Sequence, residues 1–580
     1  MTPVDGTPDA TLAKGLQAHK AGDFAAAARC YDSVLQTAPD NVDALHLLGL
    51  LHHQRGATRA AVERLQRARQ LRPSSGTIEI DLGTALAAGG KLDAAEAAYR
   101  RGIACDPAAP NGHANLGRLL LARGKADAAV TPLQAAVARA PRRADLLQAL
   151  AQALDRVGRA QDAADALRDA VERTPDDAGL WSRLAGLHGR LGARAAALTA
   201  HREAVRLAPR SPALHCALGE HHLNGLELWQ ADAAFDQART LAPDTVRAWV
   251  GLAKVAQMRG RFADALANAR QALAIDGQDL GALLARAEAE RCSGDAAAAA
   301  ATLARADRAV PGQPAVARAQ AIVKLDADGP QAAYAALVRE AERAPRARPP
   351  RFQLALLAGW MDWAEAARRY RRELAELDAP EFILDSVDFA LAQRDGGARL
   401  MGCAYATLAF ALEAAPADGL VVDLGVFHAA STNFLAAQTD RTVYGFDSFE
   451  GLPEAWGQHP AGAYSVDGRL PEVRPNVDLR PGWFDDTLPA FAAQRPAGET
   501  VALINVDCDL YSSTKTALDA LADRIADGTI LVFDEYFATA RWREDEHRAL
   551  VDAAKAHGWQ PRYLAFNGFS KQAVVQIRRP

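Results

Sequence analysis

Two hydrophobic patterns divide this chain. From Asp9 to Pro345 small and apolar residues recur at helical spacing in paired segments; from Leu420 onward they gather in short, β-branched runs with helical stretches between. The unit from Asn111 to Pro141 shows the first pattern. A helix carrying Leu116, Gly117 and Leu120 ends at Gly124, and a second carrying Ala129 and Leu133 ends before Pro141. Glycine supplies the permissive turn, and proline stops the second helix because it cannot donate to the hydrogen-bond ladder.

The unit repeats. Prolines stand at Pro39, Pro73, Pro107, Pro141, Pro175, Pro209 and Pro243, each 34 residues after the last, and after Gly277 resume at Pro311 and Pro345. Gly22, Gly56, Gly90, Gly124, Gly158, Gly192, Gly260 and Gly294 keep the same spacing, broken once by Leu226. Gly15, Gly49, Gly83, Gly117 and Gly219 are expected to face Ala27, Ala61, Ala95, Ala129 and Ala231, letting the two helices approach closely. The Leu-Gly pair, the Ala of the second helix and the terminal Pro resemble the tetratricopeptide repeat. That resemblance implies an all-α superhelix of nine clear units and a degenerate tenth, docking a protein or peptide partner. A scaffold or oligomerisation arm stays open, because a repeat specifies shape and not ligand.

At Ala344 the composition shifts to a Pro- and Arg-rich stretch that is expected to end the last repeat. An amphipathic helix from Trp360 to Leu377, with Trp363, Ala367 and Tyr370 on one face, is expected to cap the array, followed by helices at Glu381 to Arg394 and Leu400 to Ala414. The expected division is 9–345 for the repeats, 346–395 for capping helices and linker, and 396–580 for a second domain.

That second domain alternates strands and helices. Strands are expected at Leu420 to Leu424, Thr442 to Phe446, Val477 to Arg480, Val501 to Val506, Ile530 to Phe533, Arg562 to Phe566 and Ala573 to Ile577, forming a mainly parallel, doubly wound sheet. Ligands of such sheets sit beyond the carboxyl ends of the strands. The first strand ends in Asp423-Leu424-Gly425, where glycine permits close backbone approach and the following helix offers free amides. The second ends at Asp447, placed to accept hydrogen bonds from ribose hydroxyls. The fourth runs into Asp507 and Asp509; a carboxylate at a buried strand tip calls for a metal, a cofactor or a reacting proton. Asp509 is expected either at the start of the next helix or as a support behind Asp507.

Four stretches then stand in order: Phe-Asp-Ser-Phe-Glu-Gly-Leu-Pro at 446–453, Gly-Trp-Phe-Asp-Asp-Thr-Leu-Pro at 482–489, Val-Asp-Cys-Asp-Leu-Tyr-Ser-Ser-Thr at 506–514 and Phe-Asp-Glu-Tyr at 533–536. Together they resemble the macrocin O-methyltransferase family, Rossmann-like class I enzymes dependent on S-adenosylmethionine, several with a divalent metal. The resemblance implies that Asp423, Gly425 and Ser431 lie along the methionine part of the cofactor, that Asp447 and Ser448 hold the ribose, and that Gly482, Phe484 and Asp485 meet the adenine. It implies magnesium on Asp507, Asp534 and Glu535, with Asp507 also the general base. Two departures stand out: Ala429 and Ala430 precede Ser431 where the family has a glycine pair, and Glu535 replaces an aspartate.

The resemblance therefore implies an O-methyltransferase acting on a hydroxyl of a small molecule or glycan. A non-catalytic repeat adaptor and a metal-dependent glycosyltransferase reading Asp507-Cys508-Asp509 as Asp-x-Asp remain alternatives. A net charge of −5 and pI near 6.3 argue against nucleic acid. Met1 to Asp9 lacks a basic, then apolar leader and no long uncharged apolar run follows, so a cytoplasmic chain without a membrane span is expected. The six cysteines lack metal-ligand spacing. His428 is expected as a surface or capping residue and His547 on an exposed helix face, while the Gly- and Pro-rich stretch from Gln458 to Asn476 reads as a loop, either lid or insertion.

Overall fold

The computed structural model describes residues 7–579, so Met1 to Gly6, part of the stretch read for a leader, and Pro580 lie outside it. Antiparallel helix pairs run from Pro8–Lys20 and Phe24–Thr37 to Pro330–Arg343. Side-chain caps start several first helices: Asn41 Oδ1 accepts from the Ala44 amide at 2.9 Å and Asp279 Oδ1 from Ala282 at 2.7 Å. Each turn glycine of the comb is left-handed, from Gly22 at φ 80° to Gly294 at φ 85°. Leu226, which breaks the comb, adopts the same conformation at φ 59°.

The small residues inside the helices pack differently from expectation. A Cβ on Gly15, Gly83 or Gly219 would meet Tyr31, Tyr99 or Phe235, and on Gly49 or Gly117 it would meet Leu65 or Leu133, all at 2.5–2.9 Å. Each glycine thus receives a large side chain sixteen residues on as its nearest neighbour, and at Gly49 the expected Ala61 also approaches, its carbonyl oxygen 3.5 Å from the added Cβ. The alanines are themselves fully buried.

The helix-pair pattern also continues past Pro345. Where one helix from Trp360 to Leu377 was expected, two occur, Arg348–Trp360 and Ala364–Glu376. Pro349 and Pro350 sit in the first turn of the former, where a missing amide hydrogen costs nothing. The expected helix from Leu400 is likewise divided into a strand and a helix, Ala404–Ala414, because Asp326 takes the amides of Gly402 and Cys403 at 2.7 and 2.8 Å.

Eight strands form the sheet: β1 (Arg399–Met401), β2 (Leu420–Leu424), β3 (Val443–Asp447), β4 (Val477–Pro481), β5 (Val501–Val506), β6 (Ile525–Phe533), β7 (Gln560–Asn567) and β8 (Ala573–Arg578), in the order β1-β7-β8-β6-β5-β2-β3-β4. The sheet is mixed. β8 runs antiparallel to β6 and β7, since the short β7–β8 connection permits only a hairpin, and the other pairs are parallel. Val422, Ile504 and Leu531 face one apolar layer, and Val421, Leu503 and Val532 the other. Burial on both faces explains why these strands read as unbroken apolar runs.

Compactness divides the chain into Met1–Ala217 and Leu218–Pro580. The second unit contains the sheet and the helix pairs from the seventh turn onward. Among the described residues no helix is long and apolar enough to cross a membrane.

Candidate functional site

The carboxyl ends of β2 to β6 open into a cavity of about 590 Å3. Of the residues singled out in the sequence, Gly425, Asp447, Ser448, Gly482, Phe484, Asp485, Asp507, Asp534 and Glu535 line it. Asp423 and Ser431 do not. Asp423 is fully buried beneath the cavity, where its Oδ2 accepts from Ser431 Oγ at 3.1 Å and Thr432 Oγ1 at 2.5 Å, and its Oδ1 from Asn505 Nδ2 at 2.7 Å. Burial raises its pKa against the pull of these donors. It ties β2, the helix Ala430–Gln438 and β5 into one unit.

Gly425 is demanded by packing. A Cβ there, at φ +91°, would lie 1.7 Å from the Asp507 carbonyl oxygen, while the Asp507 amide donates to Leu424 O at 2.8 Å. The loop therefore presses on the end of β5. Ala429 adopts φ 63° and is fully buried, so the chain accommodates alanine where the resemblance led one to expect glycine.

Asp447 accepts from the amide of Phe427 through Oδ2 at 2.8 Å and from that of Phe449 through Oδ1 at 2.6 Å, an arrangement that shapes both neighbouring loops. Burial still raises its pKa. Gly482 follows β4 and donates to Asp447 O at 2.9 Å, placing the Phe484–Ala493 helix start at the rim.

The opposite wall is acidic. Burial first, then Asp534 and Asp509, hold the Asp507 carboxyl well above its ordinary range. Burial and Glu535 push Asp509 up to about 7, and burial pushes Asp534 up to about 6 although Gln572 Nε2 donates to it at 2.8 Å. Lys571 pairs with Glu535 at 3.0 Å. Behind them Glu546 is buried, and burial, then the Asp509 and Asp534 carboxyls, push its pKa well above the ordinary range.

Three expectations need correction. Asp509 does not start the next helix: the N-cap of Tyr511–Ala520 is Leu510, with no side-chain capping bond, and Asp509 is left-handed at φ 61° and lines the cavity. His428 is buried, its Nε2 donating to Leu226 O at 3.1 Å. His547 packs among Phe389, Tyr536 and Trp542, and burial drives its pKa to about 4.

Residues not anticipated include Leu226, Phe427, Trp456, Tyr464 and Ser512, all lining the cavity. The loop carrying Trp456 and Tyr464 is held down by buried Val466 against Val426, Ala429 and Phe449, and by Trp456 Nε1 donating to Asp545 at 3.1 Å. A smaller chamber of about 230 Å3 lies against the 425–431 loop, lined by Met258, Tyr405, His428, Ser431, Asn505 and Asp507 among others.

Residues 467–551 match the family described as Macrocin-O-methyltransferase (TylF), and residues 12–76, 56–110, 80–144, 216–279 and 144–187 match tetratricopeptide repeats. This chain carries a TylF domain behind tetratricopeptide repeats. The TylF match spans β4 to the helix Glu546–His557 and so includes Asp507, Asp534 and Glu535. The chain is 34% identical over 161 residues to the 8-demethyl-8-(2,3-dimethoxy-alpha-L-rhamnosyl)-tetracenomycin-C 4'-O-methyltransferase of Streptomyces olivaceus, covering 22% of this chain and 58% of the relative. It is 32% identical over 140 residues to the demethyldecarbamoylnovobiocin O-methyltransferase of Streptomyces niveus, covering 20% and 50%. The chain thus spans about half the length of these curated relatives. Among solved structures it is similar to yeast Tom70 (14% identity, 67% of this chain and 96% of that chain, TM-score 0.39) and to MamA (25%, 29% and 91%, TM-score 0.27).

Proposed function

We propose that this chain is an S-adenosylmethionine-dependent O-methyltransferase with a Rossmann-like class I catalytic region, and that its repeats recruit a protein partner or carrier. The acceptor is a hydroxyl on a glycan or glycosylated small molecule; of the two relatives, one is named for a rhamnosyl-bearing compound. We keep 9–345, 346–395 and 396–580 as the working division of the chain. The observation that carries the reading is the convergence on one cavity of Gly425, Asp447, Gly482 and Asp485 from three strand ends with Asp507 and Asp534 from two others.

The residues fit the cofactor. The main cavity holds Asp447 as an acceptor for hydroxyls beside the rim formed by Gly482, Phe484 and Asp485. His428 and Asn505, which line the smaller chamber, each carry a buried acceptor, Nδ1 and Oδ1, without a partner among the described residues. Burial lowers the His428 pKa to about 4, so the ring is neutral and Nδ1 is free to accept once Nε2 donates to Leu226.

S-adenosylmethionine, when bound, supplies a methyl group activated by its sulfonium. Asp507, lining both chambers, takes the acceptor hydroxyl's proton, and its raised pKa makes the ionised carboxylate a better base than an exposed aspartate. Trp456 and Tyr464 supply aromatic wall to the main cavity. Magnesium is the part of the resemblance the side chains fit least. The oxygens of Asp507, Asp534 and Glu535 suit the ion, but Gln572 and Lys571 engage the latter two. Among the described residues no three such side chains are arranged to hold a metal.

Isothermal titration with S-adenosylmethionine and S-adenosylhomocysteine, with and without magnesium, tests the reading. Micromolar binding is expected, followed by methyl transfer to a member of a glycoside panel. Failure to bind under either condition removes it.

A further inference from the structure

The walls of the two chambers are not made by the α/β region alone. Leu226, in the turn of the seventh helix pair, lines the main cavity beside Phe427 and Asp447, and Met258, ending the first helix of the eighth pair, lines the smaller chamber. The contact is close. A Cβ on Gly260, in the eighth turn at φ +67°, would lie 2.9 Å from the carbonyl oxygen of Ala430 and 3.0 Å from its Cα. The Leu226 carbonyl accepts from His428 Nε2, and the Trp229 ring packs on His428 at 4.6 Å with Arg259 and Arg469 over it at 5.4 and 5.1 Å. Leu226 holds the left-handed conformation that glycine takes in the other turns of the comb, a costly choice for a branched side chain. The break in the glycine comb therefore coincides with the one turn of the comb that lines the main cavity.

That bond also fixes the ring. A neutral imidazole that donates through Nε2 has a bare lone pair on Nδ1. His428 and Asn505, which line the smaller chamber with Ala430 and Ser431, then each carry a buried acceptor without a partner among the described residues.

We propose that the seventh and eighth repeat turns are part of the cofactor site: Leu226 forms its wall and, through its carbonyl, sets His428 to accept from the ammonium at the methionine end. Leu226 and Gly260 are positioning residues, and the α/β region binds its cofactor only with these repeats in place. This rests on the S-adenosylmethionine reading above.

Calorimetric titration of the full chain with S-adenosylmethionine and with 5'-methylthioadenosine, which lacks the amino-acid end, tests it in wild type, Gly260→Ala, Gly56→Ala and His428→Phe. Gly56 has a similar φ, +74°, but open space around its Cβ, so it carries the backbone strain without the contact. Gly260→Ala is expected to weaken S-adenosylmethionine binding about tenfold or more through overpacking against Ala430, and Gly56→Ala to leave it unchanged. His428→Phe is expected to weaken S-adenosylmethionine by about tenfold, the worth of a hydrogen bond from a charged donor, and to spare 5'-methylthioadenosine. Wild type that binds neither ligand removes the underlying reading and this proposal with it. Wild type that binds, with Gly260→Ala indistinguishable from Gly56→Ala or His428→Phe weakening both ligands alike, overturns this proposal alone.

Discussion

Gly425→Ala tests the join between β2 and β5 on which the candidate site is built. The new Cβ would stand 1.7 Å from the Asp507 carbonyl oxygen and 2.7 Å from its carbon, and both are backbone atoms that no rotamer change can move. The gap must open by more than an ångström before it reaches the 3.0 Å that real Cβ contacts respect. Overpacking of this kind costs about 1–3 kcal/mol, the positive φ a further 1–2 kcal/mol or so, and loss of the Asp507 amide bond to Leu424 about 1 kcal/mol. The total is roughly 3–6 kcal/mol, a large share of a domain's stability. Gly498→Ala provides the reference: its φ is +86°, yet nothing lies within 4 Å of the added Cβ, so only the backbone component of about 1–2 kcal/mol remains. Native-state hydrogen exchange at the amides of β2 and β5 measures the opening free energy where the change acts, without requiring the whole chain to unfold in one step. S-adenosylmethionine affinity should fall with it. If Gly425→Ala exchanges within about 1 kcal/mol of Gly498→Ala, the loop is not clamped on the end of β5 and the argument fails.

Other outcomes follow from the same geometry. Asp507→Asn should abolish methyl transfer while leaving S-adenosylmethionine affinity within about threefold, since it removes the base and not the cofactor contacts; a variant that retains turnover refutes the assignment. Asp509→Asn should stabilise the protein in EDTA at pH 8.5 by about 1 kcal/mol or more, with the advantage gone at pH 4. The sign follows from the raised pKa: the folded state holds a proton on Asp509 up to about 7 against 3.8 when unfolded, so stability is full below 3.8 and lost as pH rises through 7. Asparagine carries no charge and tolerates the left-handed φ. In the repeats, Gly186→Ala should stabilise by about 1 kcal/mol because its Cβ meets nothing, whereas Gly251→Ala should destabilise by about 1–3 kcal/mol because its Cβ would lie 2.4 Å from the Phe235 ring; urea melts of the two variants give the comparison.

The elements themselves were legible from local signals. The 34-residue comb of prolines and glycines placed the turns because both residues act through backbone sterics that need no partner, and every glycine of the comb is left-handed in the structure. Strand ends at Val506 and Phe533 could be read because burial on both faces leaves an apolar run that stops where a carboxylate begins, and the end at Leu424 because Gly425 follows it. Juxtaposition was not legible. The repeat spacing sets Gly15 against Ala27, but packing between the two helices brings Tyr31 to 2.7 Å from its added Cβ. Asp509 was read as a helix start from its position alone, whereas the turn it occupies aims it into the cavity. The β7–β8 hairpin inserts β8 beside β6, an order that no single strand encodes. Leu226 was visible only as a missing glycine. Its meaning comes from the imidazole of His428, two hundred and two positions away, which donates to the Leu226 carbonyl, because a contact that distant in sequence is chosen by how packed surfaces fit, and period and propensity carry no record of it.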